Sequence, residues 1–127
     1  MTTSNLPVAL LVDDAPVTRF LLEELFVDQI AHVHVATSMA EAEMTIRGVE
    51  PDLIIVNLAS KQIAQSFNPE RLRSDLSDYF KIMIALHDAR QTPQPMLLPE
   101  GCFDYVLPPL LEFRTLMDIV KSLEDKL

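Results

Sequence analysis

The chain has 127 residues, and 10 lysines and arginines stand against 19 aspartates and glutamates, a formal net charge of −9 at pH 7. Apolar residues make up 49% of the chain, enough for one hydrophobic core, and the length predicts a single domain over residues 1–127. The acidic balance argues against direct binding to nucleic acid or to an anionic membrane, because both would repel it. The single cysteine, Cys102, excludes a disulfide within the chain and is typical of a reducing compartment.

Targeting and membrane segments are not indicated by the sequence. No apolar run reaches the roughly 18–20 residues that a membrane span needs. No basic side chain precedes the first apolar segment, so a secretory signal is not supported. We therefore expect a cytoplasmic domain with no membrane partner.

Short apolar runs alternate with amphipathic stretches along the chain. Five of the runs predict β-strands, and most are continuous rather than alternating in hydrophobicity, which indicates strands covered on both faces. The predicted strands span residues 8–12, 32–35, 53–56, 82–86 and 103–107.

Helix signals fall between the predicted strands. Pro16 suits the first turn of a helix whose apolar residues recur at helical spacing. Ser38 and Glu41 form a capping-box signature, and Gly48 offers a stop for the helix that they begin. An amphipathic helix closes the chain.

The stretch over residues 59–78 is less regular than the others. Asn68 followed by Pro69 predicts a helix start there, with Leu72 and Leu76 on its apolar face. Three prolines within residues 93–99 require any helix in that segment to be short, broken or absent.

Strands that alternate with helices predict right-handed crossovers. The fold class is therefore α/β, a doubly wound five-stranded parallel sheet in a three-layer α/β/α sandwich. In such sheets the functional crevice lies at the carboxyl ends of the strands, near the point where the strand order reverses. The polar or unusual residues that end predicted strands are Asp13, Asp14, Asn57, His87 and Pro108.

This order of motifs resembles the receiver domains of two-component response regulators. The matching stretches are LLVDDAPVTRFLLEEL, EPDLIIVNL, KIMIALHDA and GCFDYVLPP, together with the final helix, so the resemblance covers nearly the whole chain. It implies the flavodoxin-like fold and a role in signal transduction. The partners that it implies are proteins: a histidine kinase, an output domain or a second copy of the chain as a homodimer.

The resemblance also implies which residues a working receiver needs. An acidic pair after the first strand holds Mg²⁺, and it is present as Asp13 and Asp14. An aspartate after the third strand attacks the phosphoryl donor, but Asn57 stands at that position, and a carboxamide cannot form the acyl phosphate. His87 replaces the Ser or Thr that binds the phosphoryl oxygens, and Pro108 replaces the Lys that neutralises them.

The sequence therefore predicts a pseudo-receiver with no catalytic residues, a non-enzymatic interaction or regulatory module that works without phosphorylation. We expect no cofactor beyond Mg²⁺ held weakly by Asp13, Asp14 and the Asn57 carbonyl. Two alternatives stay open, a response regulator that is still phosphorylated and a small metal-dependent phosphohydrolase. The second chemistry needs Asp-x-Asp, whereas Ala15 follows the acidic pair here. A flavodoxin-like cofactor binder is disfavoured because no glycine-rich loop follows the first strand.

Other side chains carry narrower predictions. Tyr105 matches the switch aromatic of working receivers, and with His87 in its path we expect one fixed conformation; a half-buried ring with its hydroxyl in water is the alternative. His87 either joins the acidic pair in a pH-sensitive cluster or points into solvent. Cys102 is predicted to be a small buried residue. His32 and His34 share one face of a strand, a weak metal signal that an exposed edge strand explains as well.

Overall fold

The computed structural model describes residues 7–14, 32–58, 60–86 and 102–107. The strands in these ranges are β1 (Val8–Val12), β2 (His32–Ala36), β3 (Leu53–Asn57), β4 (Ile82–Leu86) and β5 (Tyr105–Leu107). The helices are α1 (Met39–Val49), α2 (Lys61–Ser66), α3 (Pro69–Leu76) and a 3₁₀ turn at Ser77–Tyr79.

The five strands form one parallel sheet in the order β2-β1-β3-β4-β5. After β1 the chain runs outward to β2, and β3 then pairs with the other side of β1. The strand order therefore reverses between β1 and β3, and a crevice is expected at their carboxyl ends. The predicted doubly wound, flavodoxin-like sheet is confirmed.

The core lies on both faces of the central strands. Leu10 and Leu11 are successive residues of β1 that point to opposite faces, and both are fully buried. Leu10 belongs to one hydrophobic cluster with Ile46 of α1 and Leu72 of α3, so these helices cover its face of the sheet. Burial on both faces explains why the strands appear in the sequence as uninterrupted apolar runs.

Helix α1 begins as predicted and ends differently. The Ser38 hydroxyl accepts a hydrogen bond from the Glu41 main-chain N–H at 3.2 Å, which caps the first turn. The prediction that Gly48 ends the helix was wrong, because α1 continues one residue further. Glu50 provides the end instead: it adopts the left-handed conformation at φ 52°, and its N–H donates to the Ile46 carbonyl at 3.0 Å.

Between β3 and β4 the chain is more regular than predicted. The predicted start of α3 is confirmed, since the Asn68 side chain accepts from the Arg71 N–H at 3.1 Å and Leu72 and Leu76 are buried. The sequence analysis did not predict α2, the helix just before it. Ser60 caps α2, with its hydroxyl accepting from the Ile63 N–H at 3.5 Å.

A buried carboxylate joins α1 to α3. Glu43 of α1 is 8% exposed, and its carboxylate lies 3.3 Å from the guanidinium of Arg71. Arg47, one turn further along α1, lies 4.0 Å from the same oxygen. The pairing supplies the opposite charge that a buried carboxylate needs.

The chain enters β5 later than predicted, at Tyr105 rather than at residue 103. The segment before it is held by side chains: the Asp104 carboxylate accepts from the Met83 N–H at 2.8 Å and pairs with the Arg73 guanidinium. Arg73 also donates to the Cys102 carbonyl at 2.7 Å. These contacts fasten the start of β5 to α3 and β4.

Several predictions fall on other parts of the chain. The helix that starts near Pro16, the proline-rich segment and the closing helix lie outside the described residues. In the ranges that the structure covers, no helix is long and apolar enough to cross a membrane.

Candidate functional site

Two polar side chains are buried where the strand order reverses. Asp13 follows β1 directly and is 2% exposed, and Asn57 is the last residue of β3 and is 9% exposed. The Asp13 N–H donates to the Ala36 carbonyl at 3.0 Å, which extends the pairing of β1 with β2 by one step. Because β1 and β3 are parallel neighbours, their carboxyl ends bring the two side chains together, as predicted.

A hydrogen bond joins this pair between the two strand ends. Asn57 Nδ2 donates to Asp13 Oδ2 at 3.1 Å, between residues 44 positions apart in the chain. A buried carboxylate is costly unless donors satisfy it, and a bond to an ionised acceptor is stronger than one between neutral groups. The carboxamide therefore stabilises the Asp13 carboxylate, which an ionised aspartate at position 57 could not do.

The second acidic residue is held by a side chain that the sequence analysis did not single out. Asp14 is exposed, and its Oδ1 accepts from the Ser60 hydroxyl at 2.6 Å. The Ser60 N–H donates to the Asn57 carbonyl at 3.2 Å, so Ser60 ties the loop after β3 to the loop after β1. A serine three residues before apolar Ile63 is a capping signal, and it could have revealed the helix though not the bond to Asp14.

The donor set decides how well Mg²⁺ would fit between these residues. Mg²⁺ prefers oxygen ligands in near-ideal octahedral geometry. Here Asn57 turns its amide N–H toward Asp13, and Ser60 occupies one oxygen of Asp14. These bonds involve one oxygen of each carboxylate, and a cation there would compete with the two donors, so the weak Mg²⁺ site stays a prediction. Within the described ranges, no three His, Cys, Asp or Glu side chains are grouped to hold a metal.

Two of the predicted site residues, His87 and Pro108, lie outside the described residues. The proposed cluster of His87 with the acidic pair therefore stays a prediction. Tyr105 is described: it begins β5, pairs in register with Ile84 of β4, and is 41% exposed. Its role as a switch aromatic also stays a prediction.

Cys102 lies just before β5 and is 6% exposed, which confirms the prediction of a small buried residue. Burial raises the pKa of its thiol, and the nearby Glu70 carboxylate adds to that shift. The sulfur is therefore kept protonated, the unreactive form of a cysteine.

Comparison with known proteins gives matches in structure only. No protein-family model matches the sequence, and no curated protein matches it either.

Receiver domains are among the solved structures with a similar fold. A receiver domain from Methylobacillus flagellatus, described as CheY-like, has a TM-score of 0.71 at 20% identity, over 93% of this chain and 98% of that one. The receiver domain of an HD domain-containing protein from Pseudomonas fluorescens Pf-5 has a TM-score of 0.74 at 21% identity, over 99% and 92%.

A third similar structure contains a metal ion. It is the receiver domain of a sensor histidine kinase from Pseudomonas aeruginosa PAO1, with a TM-score of 0.68 at 15% identity, covering 94% of this chain and 98% of that one. That structure holds a magnesium ion in its active-site cleft. At these identities the similarity establishes the fold, and the chain has the receiver-type, flavodoxin-like α/β fold.

Proposed function

We propose that this domain is a receiver-like module that binds a protein partner in signal transduction without being phosphorylated. The observation that carries the proposal is the hydrogen bond from Asn57 to Asp13. By the resemblance to receivers, Asn57 stands where the phosphoryl-accepting carboxylate would stand. The Asn57 side chain instead donates a hydrogen bond to the Asp13 carboxylate.

The chemistry of the carboxamide supports this proposal. Phosphoryl transfer to a side chain needs a nucleophilic oxygen, which an ionised carboxylate supplies. The amide nitrogen of Asn57 instead directs its N–H toward Asp13, and its oxygen carries no full charge. Catalysis of phosphoryl transfer depends on positioning and on cations that neutralise the developing charge.

The hydrogen bonds of Asn57 and Ser60 also favour a rigid surface at this edge of the sheet. Ser60 joins Asp14 to the main chain of Asn57, and Asn57 joins Asp13, so the loops after β1 and β3 are linked at two points. A partner that docks at this edge of the sheet would meet a preorganised surface and lose less conformational entropy on binding. We infer a protein partner of the kind that receivers use: a histidine kinase, an output domain or a second copy.

A capture experiment tests the independence from phosphate. The domain is used as bait in a lysate of its native cells, once untreated and once after treatment with a small acyl phosphate and Mg²⁺. We expect the same partners in the same yield in both samples. A partner that is captured only after treatment, and is lost again with the Asn57→Ala bait, would contradict the proposal.

We also propose that the domain is not a phosphohydrolase. The candidate nucleophile Asp13 is 2% exposed and hydrogen-bonded, so it is not presented to a substrate. We expect no turnover of a generic phosphate ester with Mg²⁺. Turnover that disappears in the Asp13→Asn variant would instead establish the enzyme.

A further inference from the structure

Two histidine side chains touch on the outer strand of the sheet. His32 and His34 lie two residues apart on β2, so their side chains leave the same face of the strand. Their ring centroids are 4.3 Å apart, and the ring planes meet at 60°. Strand β2 lies at the edge of the sheet. His32 is exposed there, and His34 is half-buried.

The described surroundings of the pair offer no competing partner for the imidazoles. The residues opposite them on β1 are Val8 and Leu10, which offer no charged group. Among the described residues, neither imidazole has a hydrogen-bond or ion-pair partner. None of the described residues therefore competes with an ion for the ring nitrogens.

The separation of the rings matches two ligands on one ion. A metal–nitrogen bond of about 2.0–2.1 Å places the ion roughly 3.2 Å from the centroid of each imidazole ring. Two imidazoles bound at a right angle then have centroids about 4.5 Å apart, and about 5.2 Å at a tetrahedral angle. The observed 4.3 Å is close to the right-angled value. Small rotations of the rings about their terminal torsions would aim one nitrogen of each at a shared point.

We propose that His32 and His34 form a chelating site for a divalent transition-metal ion, with water completing the coordination on the exposed edge of β2. Right-angled coordination favours Cu²⁺ or Ni²⁺ over tetrahedral Zn²⁺, and imidazole suits each of these ions. The site is separate from the Asp13–Asn57 pair, which lies at the carboxyl end of the strands on β1 and β3. It does not depend on the proposed function.

Calorimetric titration of the untagged protein with Ni²⁺ tests the proposal. The chain holds only three histidines, so each of them can be replaced in turn. We expect one Ni²⁺ per chain. The His32→Asn and His34→Asn variants should each bind roughly tenfold more weakly or worse, because the second ligand acts at a high effective concentration in the intact pair. The His87→Asn variant should keep the wild-type affinity.

Any of three calorimetric results would overturn the site. The first is wild-type affinity in either the His32→Asn or the His34→Asn variant, the second is a loss of binding in His87→Asn, and the third is no Ni²⁺ binding by the wild-type protein. A thermal melt without metal checks that each variant folds. Ni²⁺ should then raise the melting temperature of the wild type and of His87→Asn by more than that of His32→Asn or His34→Asn. Equal shifts in all variants would also contradict the proposal.

Discussion

Replacing Asn57 by aspartate tests what the carboxamide does in the buried pair. The change removes the donor to Asp13 Oδ2 and puts a second carboxylate in its place. Both side chains are at least nine-tenths buried, so water cannot screen them well. We expect Asn57→Asp to destabilise the domain at neutral pH and to do so less as the pH falls.

The structure sets the size of the effect. The atom that changes from nitrogen to oxygen lies 3.1 Å from Asp13 Oδ2, and two charges at that distance repel by about 5 kcal/mol at an effective dielectric constant of about 20. The protein can avoid this repulsion by binding one proton between the carboxylates. Protonating a carboxylate costs about 1.36 kcal/mol for each pH unit above its pKa. Since pH 7 lies roughly three units above the usual aspartate pKa of about 3.9, binding this proton at pH 7 costs about 4 kcal/mol. Since protonation limits the penalty, we expect a loss of about 3–4 kcal/mol at pH 7 and about 1.5 kcal/mol at pH 5.

Urea unfolding at the two pH values measures this loss. The matched control is the exchanged pair, Asp13→Asn with Asn57→Asp, which again contains one carboxylate and one carboxamide. We expect the exchange to recover most of the stability at neutral pH. The reasoning is refuted if Asn57→Asp is as stable as the wild type at pH 7, or if its loss is the same at both pH values.

Three further predictions concern stability. Arg73→Ala should lower the free energy of unfolding in urea by about 1–2 kcal/mol, because Asp104 loses a charged partner. Arg73→Lys should recover only part of this loss, since lysine lacks the second donor that reaches the Cys102 carbonyl. An unchanged unfolding midpoint in Arg73→Ala would show that these contacts do not stabilise the start of β5. Asn68→Ala should lower the free energy of unfolding by about 1 kcal/mol, because the N-cap of α3 is lost. Asn68→Asp is the control, since aspartate can accept the same capping hydrogen bond. Equal losses of stability in the two variants would be inconsistent with capping. Because the folded pKa of His34 is below its usual 6.5, the unfolded chain binds that proton more readily, so stability should fall as the pH drops below 6.5 and level off beneath the lowered pKa. His34→Asn should flatten this part of a pH series of unfolding midpoints, and a series identical to that of the wild type would rule the assignment out.

The fold was predictable where packing leaves a direct pattern in the sequence. β1 and β3 are buried on both faces, so their apolar runs set their bounds to within one residue. The start of α1 follows from Ser38, because capping is a local interaction. Its end at Glu50 was not predictable, since a left-handed glutamate has no local signature and Gly48 is the residue that usually takes this role.

The meeting of Asp13 and Asn57 at the candidate site was predictable, but the atoms through which they meet were not. Parallel strand ends meet at one edge of a sheet, so Asp13 and Asn57 were expected to be neighbours. Which atoms face one another depends on side-chain packing between segments 44 positions apart, and the direction of the Asn57 donor emerges only from the folded structure. The bond from Ser60 to Asp14 joins residues 46 positions apart and was missed for the same reason.

The intact mass of the protein after incubation with a small acyl phosphate and Mg²⁺ tests the central claim most directly. If Asn57 has replaced the phosphoryl acceptor with a hydrogen-bond donor, the wild-type mass stays unchanged at every donor concentration. A stable increase by one phosphoryl group that is absent from the Asn57→Ala variant would contradict the account.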